Sequence, residues 1–157
     1  MFIPDTVKSI GLGAFENCIG IKYMILPFTG DGNENKHFSY IFGAETIDDT
    51  YNYIKYLNDF SVIITKDIYP YAFYKNYELK CVVLPEDIKV IPNNIFYFCS
   101  KMEYIRIPDT VRTIGDNAFV GCRSLESILI PDNVETIGRS SFSTCNALKN
   151  VYIGSKV

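Results

Sequence analysis

The chain has 157 residues, of which 48% are hydrophobic and 15% aromatic, and its formal net charge is −3. This is enough chain for one domain with a continuous core, and the composition excludes a disordered segment, which combines low hydrophobicity with high net charge. No run of Lys or Arg is present to track a phosphate backbone, which argues against nucleic acid, and no apolar stretch approaches the roughly 20 residues a membrane helix needs.

In chain order, a first phrase runs Ile3-Pro4-Asp5-Thr6-Val7 and on to Ile10, Gly11, Phe15 and Cys18. Counting from Pro4, the same residue types return from Pro85, Pro108 and Pro131, the last three 23 residues apart. Six places on stand Ile10, Ile91, Ile114 and Ile137; eleven on stand Phe15, Phe96, Phe119 and Phe142; fourteen on stand Cys18, Cys99, Cys122 and Cys145. Each copy closes on an alternating apolar run such as Ile128-Leu129-Ile130, the period of a strand, and the following Pro ends it because it cannot donate a ladder hydrogen bond. Ala118, Phe119, Cys122 and Leu125 share the spacing of one helix face, so a short helix is expected there, with Gly115 and Gly138 permitting the bend before it. A repeat of 20 to 50 residues is the mark of a stacked solenoid, in which no copy buries its apolar edge alone.

Between Pro27 and Pro85 the rule breaks. Those prolines are 58 positions apart, 12 more than two copies occupy, and the surplus falls within residues 28–60. The segment reads as one remodelled coil with a protruding loop. Residues 29–36 have loop composition. His37 to Ala44 fits a short helix or tucked turn, and Asp48-Asp49-Thr50 fits a cap or turn before Tyr51–Leu57. Phe38 and Phe42 are expected to fill the gap in the Phe column. His37, Tyr40, Tyr51 and Tyr53 are the candidate contacts of this insertion, since insertions in repeat arrays often carry function. Asp31, Asn33 and Glu34 lack the alternating acids and distant Glu of a calcium loop. Residues 62–84 form a degraded copy, in phase at Ile68, Phe73, Leu79, Val82 and Leu84, but with Asn76 in the Cys column and a front edge lacking the Pro-Asp-x-Val phrase.

Four cysteines in one column are expected as small buried apolar groups in a ladder; side chains that point the same way from successive coils suit neither a disulfide nor a metal. Cys81 falls outside that column, on the outward side of a strand, as an exposed thiol. The outward strand positions Tyr23, Ile25, Val83, Tyr104, Arg106, Leu129 and Tyr152 form the candidate partner-binding strip; Tyr and Arg are the types enriched at binding hot spots. With one His, and without a nucleophile elbow or supporting acid, nothing points to catalysis, and no cofactor is implied. The chain opens on the last step of a strand and closes on another without a polar cap, which suggests a piece of a longer array.

The phrase Leu125-Glu126-Ser127-Ile128-Leu129-Ile130 resembles the strand signature of leucine-rich repeats. Residues 108–153 resemble the 23-residue unit of the BspA-type (Treponema pallidum-type) subfamily almost position for position, and residues 3–27 and 66–107 do so with lapses. The resemblance implies an α/β leucine-rich-repeat solenoid, with a parallel β-sheet on the concave face and short helices or turns on the convex face, over residues 1–157 in about six coils. It further implies a non-catalytic module of a cell-surface or secreted protein that binds a protein or glycan, or else a passive spacer within a larger surface protein.

Overall fold

The computed structural model describes residues 1–30 and 37–157; the loop residues 31–36, with the calcium question at Asp31, Asn33 and Glu34, lie outside the described residues. The chain winds as a parallel β-solenoid. Its concave side carries β1 (Tyr23–Phe28), β2 (Phe60–Asp67), β3 (Leu79–Val83), β5 (Tyr104–Ile105), β7 (Ser127–Ile130) and β9 (Asn150–Ile153). A second face carries the two-residue strands β4 (Val90–Ile91), β6 (Thr113–Ile114) and β8 (Thr136–Ile137), paired in that order. Register follows the 23-residue repeat: Val82 pairs with Ile105, Thr113 with Thr136, and Ile128 with Val151. The sheet alternates as expected: Val82, Ile105, Ile128 and Ile130 are buried, whereas Val83, Tyr104 and Leu129 face outward.

The convex side differs from the expected helix. Residues 116–122 form turns, because the backbone goes left-handed at two places in each copy: Asn94 and Phe98, Asn117 and Gly121, Ser140 and Thr144. A left-handed residue every four positions prevents the N–H(i)→O=C(i−4) pattern of an α-helix. The freed backbone groups pair between coils instead. Asn117, Phe119 and Gly121 donate N–H to the carbonyls of Arg139, Ser141 and Ser143, at 2.8–2.9 Å. Asn94, Phe96 and Phe98 repeat this onto Asp116, Ala118 and Val120. A third hydrogen-bonded ladder therefore stands where a helix would have satisfied its own backbone, meeting the requirement that buried peptide groups be paired.

Gly115 and Gly138 are also explained differently from the expected bend, since neither is among the residues with positive φ. A Cβ on Gly115 would stand 2.7 Å from the Asn93 amide nitrogen, and one on Gly138 would stand 2.5 Å from that of Asp116. The glycine is needed because the preceding coil's Asn or Asp side chain closes over it: Asn93 Oδ1 accepts from Asp116 N–H at 2.9 Å, and Asp116 Oδ1 from Arg139 N–H at 2.7 Å.

The core is a file of rings. Phe73, Phe96, Phe119 and Phe142 stack at centroid distances of 5.7, 5.3 and 5.1 Å. The cysteine column runs beside it, and each thiol donates to a Phe carbonyl of the coil before: Cys99 to Phe73, Cys122 to Phe96 and Cys145 to Phe119. Burial pushes these three thiols up from their ordinary pKa. Cys18, expected in the same ladder, is exposed, because the outer flank of the first coil is uncovered in this chain. Cys81, expected as an exposed thiol, is half-buried: its strand is paired on both sides, with Ser61 and Tyr104 as its register partners.

Candidate binding surface

The remodelled segment sets the shape of one end of the sheet. Met24 pairs with Val62, 38 positions on, and Val62 with Val82, 20 positions on. The surplus is thus a long coil followed by a short one, rather than one insertion of 12 residues. Within the long coil, Phe38–Phe42 forms a 3₁₀ turn and Thr50–Ile54 a single helical turn, α1. Phe38 and Phe42 fill the gap as expected. Phe38 packs on Phe60 and Phe73, each at 5.4 Å, and Phe42 reaches Phe15 at 6.1 Å. The outer ladder also crosses here, with Gly13 and Phe15 N–H donating to Tyr40 and Ile41, and Phe38 N–H to Ala72.

Of the insertion contacts, His37 is only 6% exposed. Its Nδ1 lies 2.8 Å from Ser39 Oγ, which lies 2.8 Å from Thr50 Oγ1. This buried polar chain ties the 3₁₀ turn to α1 and places His37 out of reach of a partner, contrary to expectation. Tyr40 is half-buried, edge-on to the His37 ring at 6.0 Å. Tyr51 and Tyr53 are exposed. Tyr53 lies over Gly43, where a Cβ would meet its ring at 2.9 Å.

On the concave face the strip assembles in rows. One row runs Tyr23, Ser61, Cys81, Tyr104; a second runs Ile25, Ile63, Val83. Ile25 is half-buried between Phe2 and Ile63, while Tyr23 and Val83 are exposed. Ser61 and Ile63 were not anticipated as members. The alternation of Phe60, Val62 and Ile64 marks β2 as a concave strand, but without its Pro phrase the front edge of that copy was not assigned to the sheet.

The most open part lies further along. Among the described residues no β-ladder joins β5 to β7, so the concave sheet divides into β1-β2-β3-β5 and β7-β9. Charge explains why this seam is weaker than the others. Lys80 pairs with Glu103 at 3.2 Å and Lys149 with Glu126 at 3.6 Å, which places Glu103 and Glu126 in adjacent coils at the same column. Like charges in such positions disfavour pairing, whereas the other two steps of that column carry opposite charges. A cavity of about 340 Å³ opens at the seam over Ile105, Ile107 and Ile128, flanked by Tyr104, Leu129 and Tyr152. Those three flanking side chains are 58%, 60% and 64% exposed. Arg106, at the rim, is held by Glu86 of the preceding coil. The seam thus offers a large apolar-aromatic surface on a rigid frame, with most nearby charges already paired.

The sequence matches the BspA type leucine rich repeat region in six copies, over residues 1–61 and 66–157. Among solved structures it is similar to a T. pallidum leucine rich repeat protein, at 31% identity and TM-score 0.51 over 61% of this chain and 52% of that one. It is similar to a leucine rich cell surface protein from Faecalibacterium prausnitzii, at 29% identity and TM-score 0.62 over 96% of this chain and 37% of that one. It is also similar to the pneumococcal vaccine antigen PcpA, at 30% identity and TM-score 0.59 over 67% of this chain and 27% of that one. The chain thus spans about half or less of the length of these proteins. No curated protein sequence matches it at comparable significance. Concave parallel strands, a Phe file, a Cys ladder and a family match over nearly every residue agree: the chain belongs to the BspA-type leucine-rich-repeat family.

Proposed function

We propose that the chain is a non-catalytic binding module of a cell-surface protein, which presents its concave sheet to a protein or glycan partner in adhesion. One observation carries the reading: Tyr104, Leu129 and Tyr152 stand exposed around the apolar cavity at the β5–β7 seam. A surface of this kind costs solubility unless something covers it, and exposed apolar patches with polar rims mark interaction sites. Aromatic anchors already held by a sheet lose little freedom on binding, so more of their burial appears as affinity. The cell-surface compartment is supported by the similarity to a Faecalibacterium cell surface protein and a pneumococcal antigen.

The test is an immobilised screen of extracellular-matrix proteins and oligosaccharides with the native chain and a Tyr104→Ala/Leu129→Ala/Tyr152→Ala variant. The expected result is a retained partner that the variant loses at least tenfold, with an unchanged melting profile. A native chain that retains nothing would favour the spacer reading, in which these coils only set a distance within a larger protein. A partner bound equally by the variant would move the site elsewhere.

A further inference from the structure

Away from the concave strip, the long coil and the short coil meet at a second hollow, of about 420 Å³, lined by Asp48, Tyr51, Lys75 and Tyr77. These four residues lie on different elements. Asp48 and Tyr51 come from the insertion, at and just inside α1, while Lys75 and Tyr77 follow the buried Phe73 in the next coil. The insertion is therefore what builds the hollow.

Its walls are of two kinds. The rings of Tyr51 and Tyr77 stand 81° apart with centroids at 5.6 Å, so they form a corner in which one ring presents its edge and the other its face. Lys75 Nζ donates to Asp48 Oδ1 at 3.1 Å and also lies 5.0 Å over the Tyr74 ring. The Lys75 backbone is held as well, its N–H donating to the Tyr97 carbonyl at 2.7 Å. Tyr51 is 50% exposed, and the Asp48 carboxylate is mostly in solvent. An aromatic corner, a carboxylate acceptor and an ammonium donor thus face one open space of ligand-site size, about 300–1,000 Å³ being usual.

We infer that this hollow binds a hexopyranose ring at the end of an oligosaccharide. A pyranose is amphipathic in the same pattern. Its axial C–H groups carry slight positive charge and suit the negative face of a tyrosine ring, while its hydroxyls need an acceptor and a donor beside that ring. A purely apolar ligand would leave Asp48 and Lys75 without a role in recognition. A free anion would meet Asp48 first, and a cation would meet Lys75. The ion pair disfavours single-sign ligands and fits a neutral polyol.

The experiment is a glycan microarray of hexose and N-acetylhexosamine oligosaccharides, followed by saturation-transfer NMR with the best-retained glycan. Both use the whole chain and its Tyr51→Ala and Asp48→Asn variants. Tyr51→Ala should reduce retention at least tenfold and Asp48→Asn several-fold, with transfer strongest to the ring C–H protons and with the melting profile kept. The concave Tyr104→Ala/Leu129→Ala/Tyr152→Ala variant should retain the glycan, which separates this site from the concave surface. An array with no retained hexose glycan overturns the inference. So does retention that Tyr51→Ala leaves intact, or that the concave variant abolishes.

Discussion

Asn76 stands where other copies carry the buried Cys, and its side-chain amide is wholly enclosed with neither nitrogen nor oxygen hydrogen-bonded. An unsatisfied buried polar group costs about 1–3 kcal/mol, and here both ends of one amide are unsatisfied. Replacing it by Asn76→Cys puts a small, weakly polar group in the ladder that already accommodates Cys99 one coil on. Cys is smaller than Asn, so part of the gain is offset by lost packing. The expected net stabilisation is about 1–2 kcal/mol, which for a chain of this size raises the melting temperature by roughly 2–8 °C. Thermal and urea melts under reducing conditions measure it. The converse, Cys122→Asn, should destabilise by about 2–4 kcal/mol, since it removes the bond to the Phe96 carbonyl and buries an amide in a filled site. An Asn76→Cys variant equal to or less stable than the native chain would refute the reasoning, because it would mean that an enclosed water satisfies the amide.

Phe119 is gripped by Phe96 and Phe142 on its two faces, so Phe119→Ala leaves a hole that cannot collapse and should cost about 3–5 kcal/mol in urea unfolding, while half-buried Phe15→Ala should cost clearly less. Gly115→Ala should destabilise by roughly 1–3 kcal/mol, because the new methyl meets the backbone of Asn93 and Ile91; Gly11→Ala, with no atom within 4 Å of the new carbon, should be neutral or stabilise by a few tenths. Burial raises the thiol pKa of Cys99 and of Cys122, the latter helped by its neighbouring thiols, so the folded state keeps protons that the unfolded state releases. Their contribution is therefore complete below the unfolded thiol value of about 8.5 and is lost above it, by about 2 kcal/mol for each fully buried thiol between pH 8.5 and 10. A Cys99→Ala/Cys122→Ala variant should show a flatter alkaline stability profile in denaturant titrations from pH 7 to 10. Under native conditions at pH 8, a maleimide should label Cys18 before Cys99 or Cys122, as read by peptide mass.

Much of the fold is written in the columns. Phe96, Phe119 and Phe142 at equal spacing require stacked neighbours, because a ring of that size is stable only when enclosed, and the structure stacks them. The outward strand residues Tyr104, Leu129 and Tyr152 follow from alternation alone. The spacing of Ala118, Phe119, Cys122 and Leu125 was less informative. It is compatible with a helix and equally with a turn whose inward residues fall at the same intervals, and nothing in one copy separates the two. What separates them is the neighbouring coil, which offers carbonyls to Asn117, Phe119 and Gly121 and makes left-handed backbone at Asn117 affordable.

The repeat by itself determined that the chain winds in equal turns, which residues point inward, and that the Phe and Cys columns form continuous files, because these follow from a period and from the need to enclose apolar groups. Only the tertiary structure decided which glycines are obligatory, how residues 28–60 divide into a long and a short coil, that His37 is enclosed, and that the sheet parts between β5 and β7. Each of these depends on what one coil places against the next, such as an Asn side chain over a glycine or a Glu beside a Glu. A linear pattern that treats its copies as equivalent carries no record of those differences.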